Sequence, residues 1–267
     1  MKERLDLLLT SRGHFESRER ARAVIMSGGV YVNGQKADKP GTAFPSDADI
    51  EVREKDCPFV SRGGLKLQKA LDIFSVDPTG LNVLDGGAST GGFTDCLLQN
   101  GAAKVWAVDV GYGQLAWSLR NDPRVVCIER TNIRNLQLEQ IGGKPADMAV
   151  FDLSFISLKL IFPILKELLT DGAPVICLVK PQFEAGREKV GKGGVVKSAE
   201  THLEVLKAHT IAAEEFGLGV KGITFSPVKG PKGNVEFLSH LKAGEASSLA
   251  ESDLKSVVET AHSELSN

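Results

Sequence analysis

Cysteine is scarce in this chain and widely scattered. Cys57, Cys96, Cys127 and Cys177 form no CxxC pair and no Cys/His cluster, which leaves no basis for a zinc site or a disulfide framework. Isolated cysteines in apolar surroundings read as buried structural residues. A long apolar run is missing too: nothing approaches the roughly 20 residues that cross a bilayer. The opening MKERLDLLLTSRG is too charged for the core of a secretion signal, so a cytoplasmic chain with no membrane partner is expected. Nor is there an excess of charge of either sign. The net value is -2, so no overall positive field announces a nucleic-acid partner, and such a partner must be argued from local patches.

What is present is enough apolar content, 42% of 267 residues, for one large domain and one small one. Leu5, Leu8 and Leu9 keep helical spacing, and a second helix is expected from Arg18 to Met26 behind Ser17 as its cap, stopped by Gly28 and Gly29. Val30 to Val32 then meet an Asn33-Gly34 turn, and Ala48 to Val52 read as a closing strand. After a polar link at residues 54–58, strand-like runs cover 81–84, 104–108, 125–128, 148–151, 175–179, 219–225 and 234–238. Helical stretches at 93–99, 158–169 and 199–215 lie between them, which predicts an α/β fold with a doubly wound, mostly parallel sheet. Residues 244–267 read as an acidic amphipathic helix.

In an open α/β sheet a ligand belongs at the carboxyl ends of the strands. The loop after the first strand of the large domain, VLDGGASTGGFTD, frees the backbone to turn sharply with Gly86, Gly87, Gly91 and Gly92. It has neither the GxGxxG dinucleotide spacing nor the GK[ST] of a phosphate loop. Its strand ends in Asp85, an anion that would repel a pyrophosphate but suits S-adenosylmethionine, which carries an ammonium and a sulfonium and no phosphate. Asp109 ends the next strand, where a carboxylate can take both hydroxyls of a ribose, and Asn132 in RTNIR can bond an adenine edge. Asp152 in VFDLSF and Lys180 in CLVKPQF close neighbouring strands, so their side chains are expected to meet. A lysine beside an alcohol can stabilise a developing alkoxide, and a carboxylate beside the lysine can orient it. A structural salt bridge is the plainer alternative for this pair.

Two resemblances add to this. RLDLLLTSRG, SRERARAVIMSGGVYVNG, KPGTAF and DADIEV, which together cover nearly all of residues 1–54, closely resemble an S4 RNA-binding domain. That resemblance implies RNA contacts at Arg4, Arg12, Ser17, Arg18, Arg22, Asn33 and Lys39, supplying affinity and register rather than base reading. FVSRGGLKLQKAL, VLDGGASTGGFTD, FDLSFISL, LVKPQFE and GNVEFL, found in this order, resemble the TlyA family, hemolysin-like proteins grouped with the FtsJ-like ribose methyltransferases. The fold implied is a Rossmann-like, class I S-adenosylmethionine-dependent methyltransferase with a seven-stranded sheet, preceded by the small α+β S4 domain. Boundaries at 1–58, 59–245 and 246–267 are expected for S4 domain, methyltransferase domain and helical tail.

The same resemblance implies a catalytic tetrad of Lys66, Asp152, Lys180 and Glu236, with Lys66 preferred over Lys69 because it holds the lysine position of the SRGxxKL pattern. It implies cofactor contacts at Asp85, Gly87, Ser89, Gly91, Gly92, Phe93, Asp109 and Asn132, and an RNA contact at Arg62. The implied reaction is transfer of a methyl group from S-adenosylmethionine to the 2′-hydroxyl of a ribose, in a cytidine, with ribosomal RNA or ribosomal subunits as partner and no metal. Arg187, Lys189, Lys192 and Lys197 in one glycine-rich loop, and Lys229 and Lys232 in SPVKGPKGN, are read from their location as lips that grip RNA phosphates, with plain soluble linkers as the alternative. A cytolysin is the rival from another class. It should offer a spanning helix, an amphipathic hairpin or a secretion signal, and the sequence reads as none of these. An RNA-binding protein with an inactive methyltransferase fold is the third reading, against which the intact loop acids and all four tetrad positions speak.

Overall fold

The computed structural model describes residues 2–15, 17–52 and 57–265, the side chains of Ala23 and Ser27 excepted. The chain opens with β1 (Lys2–Arg4), α1 (Leu5–Ser11) and α2 (Arg18–Ser27). Leu5 and Leu9 of α1 bury against Ala21, Val24 and Ile25 of α2, as their spacing predicts. The Ser17 side chain accepts from the Arg20 amide at 3.2 Å and caps α2, and Gly28 ends the helix at a φ of 83°. β2 (Val30–Val32) and β3 (Gln35–Ala37) follow, joined by Asn33 and Gly34 at φ values of 52° and 76°, the left-handed pair of a tight hairpin turn. Then come β4 (Ala43–Pro45) and β5 (Ile50–Val52); β5 pairs with β2, and β4 returns to pair with β1. The Arg20 guanidinium donates to the carbonyls of Phe59 and Cys57 at 2.8 and 2.6 Å, which ties α2 to the start of the larger domain. Of the expected link, residues 54–56 lie outside the described residues.

The larger domain begins with α3 (Gly63–Phe74), β6 (Asn82–Gly86), α4 (Gly92–Gln99), β7 (Lys104–Val108), α5 (Trp117–Arg120) and β8 (Val125–Ile128). It continues through β9 (Met148–Phe151), α6 (Phe162–Leu168), β10 (Pro174–Val179), α7 (Pro181–Glu184) and α8 (Ala199–Glu215), and ends with β11 (Leu218–Phe225), β12 (Phe237–Ala243) and α9 (Glu251–Glu264). β6 to β12 form one sheet in the order β11-β12-β10-β9-β6-β7-β8, with β12 antiparallel to both neighbours and the rest parallel. The chain order reverses at β6, so the crevice beyond the carboxyl ends of β6 and β9 is where a ligand belongs.

Alternation in β9 and β10 explains why these strands read as unbroken apolar runs. Ala149, Phe151, Val175, Cys177 and Val179 pack on one face with α6, α8 and α9, whereas Met148, Val150, Ile176 and Leu178 pack on the other with α3 and α4. Three expected elements need correction. The last strand starts at Phe237 rather than 234, because the backbone before it folds into a loop in which the Gly230 amide donates to the Asn234 carbonyl at 2.9 Å. The helix expected over 158–169 is a 3-10 turn, Leu158–Leu160, followed by α6. The C-terminal helix starts at Glu251, since the chain first lies along β11, where the Val220 amide donates to Ser247 Oγ at 2.9 Å. The segment expected as a tail is part of the core, with Leu254, Val258 and Ala261 buried beside the sheet.

Candidate active site

Register brings three charged side chains to one edge of the sheet, where a fourth reaches them from α3. Cys177 pairs with Phe151 and Val179 with Phe237, so Asp152, Lys180 and Glu236 all leave the sheet at the same end. Lys180 Nζ lies 2.6 Å from Asp152 Oδ1 in an ion pair and donates to Ser154 Oγ at 2.9 Å. Lys66 reaches across from α3 and places its Nζ 2.5 Å from Glu236 Oε2. Lys66, Lys180 and Glu236 are all buried, Glu236 to 1% exposure, and a lone carboxylate at that depth needs the partner it has. Lys69, the other lysine of α3, lies over the Phe225 ring at 3.4 Å, and burial lowers its affinity for a proton. The structure therefore separates the two lysines that the sequence left one turn apart.

The glycine loop packs beneath this group. A Cβ on Gly87, at a φ of 84°, would sit 2.7 Å from the Asp152 carbonyl oxygen. One on Gly92 would sit 2.2 Å from Ser61 Oγ and 2.9 Å from the Gly64 amide. Both glycines thus let the cofactor loop touch the Asp152 segment and the start of α3 at once. Asp109 Oδ2 accepts from the Ser89 amide at 2.9 Å and Oδ1 from the Gly111 amide at 2.6 Å. Each oxygen keeps a further acceptor site for a hydroxyl.

Asp85 requires a correction. Its carboxylate is fully buried beneath the loop and lines neither of the two cavities that flank the site, so it is no direct hand-hold for a ligand there. Oδ2 accepts from Thr94 Oγ1 at 2.6 Å, and Oδ1 has no hydrogen-bond partner among the described residues. Burial pushes its pKa up to about 7, partly offset by the Thr94 hydroxyl and reinforced by the charges of Asp152 and Asp109. Gly91 also faces away from the cavities, packed toward Leu115 and Leu119.

Two cavities flank the site. One, of about 770 Å³, runs over Gly87, Ser89, Asp109 and Asn132, and is of the size that encloses a small molecule. The other, of about 1310 Å³, covers Lys66, Lys180 and Glu236 and is walled by Met26 and Lys36 of the small domain and by Lys229 and Lys232 opposite. Phe93 and Arg62 line this second cavity. The two meet at Gly87, Ser89, Asp152, Ser154, Phe155 and Phe183.

Phe155 and Ser154 were not singled out from the sequence. Phe155 is 90% exposed at a φ of 65°, with its ring 5.1 Å from that of Phe183. A bulky residue held open in the left-handed region is strained, and such strain gathers at sites of function. The loop that presents it is anchored by Glu184, which accepts from Ser157 Oγ at 2.6 Å and from the Leu158 amide at 2.9 Å.

The small domain's expected RNA contacts divide. Arg22 and Lys39 are exposed. Arg4 and Arg18 are half exposed and share Asp6, a buried carboxylate whose pKa their hydrogen bonds hold down to about 2. Ser17 Oγ caps α2, and Asn33 Oδ1 accepts from the Asp49 amide at 3.1 Å. Arg12 donates to the carbonyls of Ala48 and Ser46 at 2.7 and 2.5 Å. On the large domain Arg187 is exposed and Lys189 pairs with Glu204. No helix among the described residues is long and apolar enough to cross a membrane.

Comparison with known proteins identifies the family. Residues 59–243 match the model of the FtsJ-like methyltransferase family, and residues 3–50 match that of the S4 domain. The chain is 49% identical to a Bacillus subtilis protein named as an rRNA methyltransferase, YqxC, over 99% of this chain and 95% of that one. It is 45% identical to the 16S/23S rRNA (cytidine-2'-O)-methyltransferase TlyA of Mycobacterium tuberculosis, over 98% of this chain and 97% of the relative. A solved structure of a protein from Streptococcus thermophilus, named for a hemolysin, superposes with a TM-score of 0.80 at 44% identity, covering 99% of this chain and 97% of its own.

Proposed function

Because the chain belongs to the FtsJ-like methyltransferase family and carries an S4 domain, we propose that it methylates the 2′-hydroxyl of a cytidine ribose in ribosomal RNA, with S-adenosylmethionine as methyl donor. The observation that carries this reading is the meeting of the two cavities at Asp152, one sized for a small cofactor and one open between two domains. The cofactor supplies a methyl group on a sulfonium, an electrophile that needs only an oxygen in line.

The residues present fit that cofactor. Asp109 and Asn132 line the smaller cavity, where a nucleoside's hydroxyls and base edge need acceptors and an amide. Asp85 lies under the loop as a buried carboxyl whose ionisation burial opposes. A cationic ligand above it favours the ionised carboxylate, so cofactor affinity is expected to rise as pH rises through about 7 and to weaken below it. Calorimetry from about pH 6 to pH 8 checks this, with Asp85→Asn expected to flatten the profile.

In the larger cavity Lys180 hydrogen-bonds the acceptor hydroxyl and stabilises the negative charge that grows on its oxygen, while Asp152 fixes the lysine's position. The hydroxyl proton leaves by way of Asp152, the most exposed member of the tetrad, with 23% of its side chain open to solvent. Lys66, neutralised by Glu236, positions the nucleotide. Phe155 and Phe183 offer a shelf on which a base can stack. Phe155→Ala is expected to lower kcat/KM for RNA about 10-fold to 100-fold, in line with the value of one stacked base. Lys36, Arg62, Lys229 and Lys232 around the groove, and Arg22 and Lys39 on the S4 domain, supply phosphate contacts. The enzyme works in the cytoplasm on ribosomal subunits. Incubating free ribosomal RNA and assembled subunits with cofactor labelled in its methyl group tests the function: label is expected in the RNA, and label confined to protein, or absent, overturns it.

A further inference from the structure

Asn234 is 2% exposed and carries no charge, yet two loops beside the tetrad meet at it. Its Oδ1 accepts from the Val196 amide at 3.0 Å, and its Nδ2 donates to the Gly194 carbonyl at 2.9 Å. Its own carbonyl accepts from the Gly230 amide at 2.9 Å. One amide side chain therefore joins the basic loop of residues 186–197 to the basic loop of residues 228–234. Gly230 in turn lies against Glu236: a Cβ there would stand 2.5 Å from Glu236 Oε1. Lys232 Nζ would lie 3.5 Å from a Cβ on Gly194, so the cation of the second loop sits over the backbone of the first.

Val196 is held from its other side as well. Its carbonyl lies 3.2 Å from His202 Nε2, and His202 Nδ1 lies 2.9 Å from His262 Nε2 in α9. A carbonyl can only accept, so Nε2 of His202 carries the proton and Nδ1 is the acceptor. Burial, and then the neighbouring His262, push His202 down to about 4, which keeps it neutral in this role near pH 7. The chain of contacts thus runs from α9 through His202 and Val196 to Asn234, and from there to Gly230 and the Lys66–Glu236 pair.

We propose that Asn234 is a positioning residue for methyl transfer: it rivets the two basic loops into one rigid lip over the acceptor groove and holds Gly230 against Glu236, which sets the place of Lys66. This rests on the reading of the groove as the RNA site. An aspartate cannot replace it, because the group facing the Gly194 carbonyl must donate. A glutamine is one methylene too long for a packed site.

The test compares wild type, Asn234→Ala and Asn234→Asp in three measurements: amide hydrogen exchange over residues 190–197, calorimetric affinity for S-adenosylmethionine, and KM and kcat for ribosomal RNA. Wild-type methylation is measured first. If no RNA is methylated, the functional reading fails and the proposal fails with it. If it proceeds, both variants are expected to exchange the Val196 amide about tenfold faster or more and to raise KM for RNA about tenfold, with cofactor affinity within about twofold of wild type. Unchanged exchange, or faster exchange with unchanged KM and kcat, overturns the proposal. So does a loss of cofactor affinity that parallels the loss of activity, since a general loosening of the fold produces that. Should Asn234→Ala fail to fold, Asn234→Asp, which keeps size and the acceptor toward Val196, carries the same three readouts.

Discussion

Lys180→Ala is expected to lower the rate of methyl transfer about 10³-fold while cofactor affinity stays within about twofold of wild type. The separation follows from geometry. Lys180 lines the larger cavity and lies outside the lining of the smaller one, whereas Asp109 and Asn132 line the smaller cavity alone. Removing Lys180 takes away the cation in contact with Asp152 and leaves that carboxylate facing the acceptor oxygen, so the growing negative charge meets repulsion where it met an ammonium. Single-turnover rates measured with saturating RNA, beside calorimetry on the same preparation, separate the two effects. A variant that keeps near wild-type turnover removes Lys180 from the chemistry.

The Lys66–Glu236 pair gives the second large effect, and here stability and activity are expected to part. Glu236→Ala strands the buried Lys66 ammonium and is expected to cost about 3–5 kcal/mol, a fall in Tm of roughly 10 °C for a domain of this size. Replacing both residues by apolar ones of similar volume, Lys66→Met with Glu236→Leu, is expected to restore most of that stability, because two charges no longer have to be kept out of water. Methyl transfer is expected to stay lost in the double variant. Thermal denaturation and rate measurements on both variants decide the matter. Recovery of activity together with stability would make the pair a structural salt bridge and nothing more.

The sheet was legible because its physics is local. Parallel strands buried on both faces must be apolar at every position, and β9 and β10 show that as runs with sharp ends. A charged residue that ends such a run has left the sheet at the edge where ligands bind, which is why Asp152 and Lys180 stood out. Asp85 ends its run in the same way but belongs to the strand itself. Alternation puts it on the face of Val83, toward α4 and Thr94, so its direction was readable in principle from the two-residue period.

Glu236 was readable as a carboxylate in apolar surroundings, but the start of β12 was not. Gly230 and Asn234 pair across a loop instead of extending the ladder, and that depends on partners 38 and 40 residues away. Phe155 left no periodic signal, because its exposure is set by a backbone turn that Glu184 holds from another element. In the small domain the arginine-rich helix was visible, whereas the sharing of Arg4 and Arg18 by Asp6 needed the fold.

The most direct measurement concerns where the transferred methyl group sits. Ribosomal RNA methylated by the purified chain with labelled cofactor is hydrolysed in alkali, which cleaves a phosphodiester only where the neighbouring 2′-oxygen is free to attack. A 2′-O-methyl group blocks that cleavage, so the label is expected in a single alkali-resistant dinucleotide with cytidine on its 5′ side, and its yield is expected to collapse in Lys180→Ala. Label recovered in mononucleotides, as a methyl group on a base would give, contradicts an acceptor ribose at Lys180.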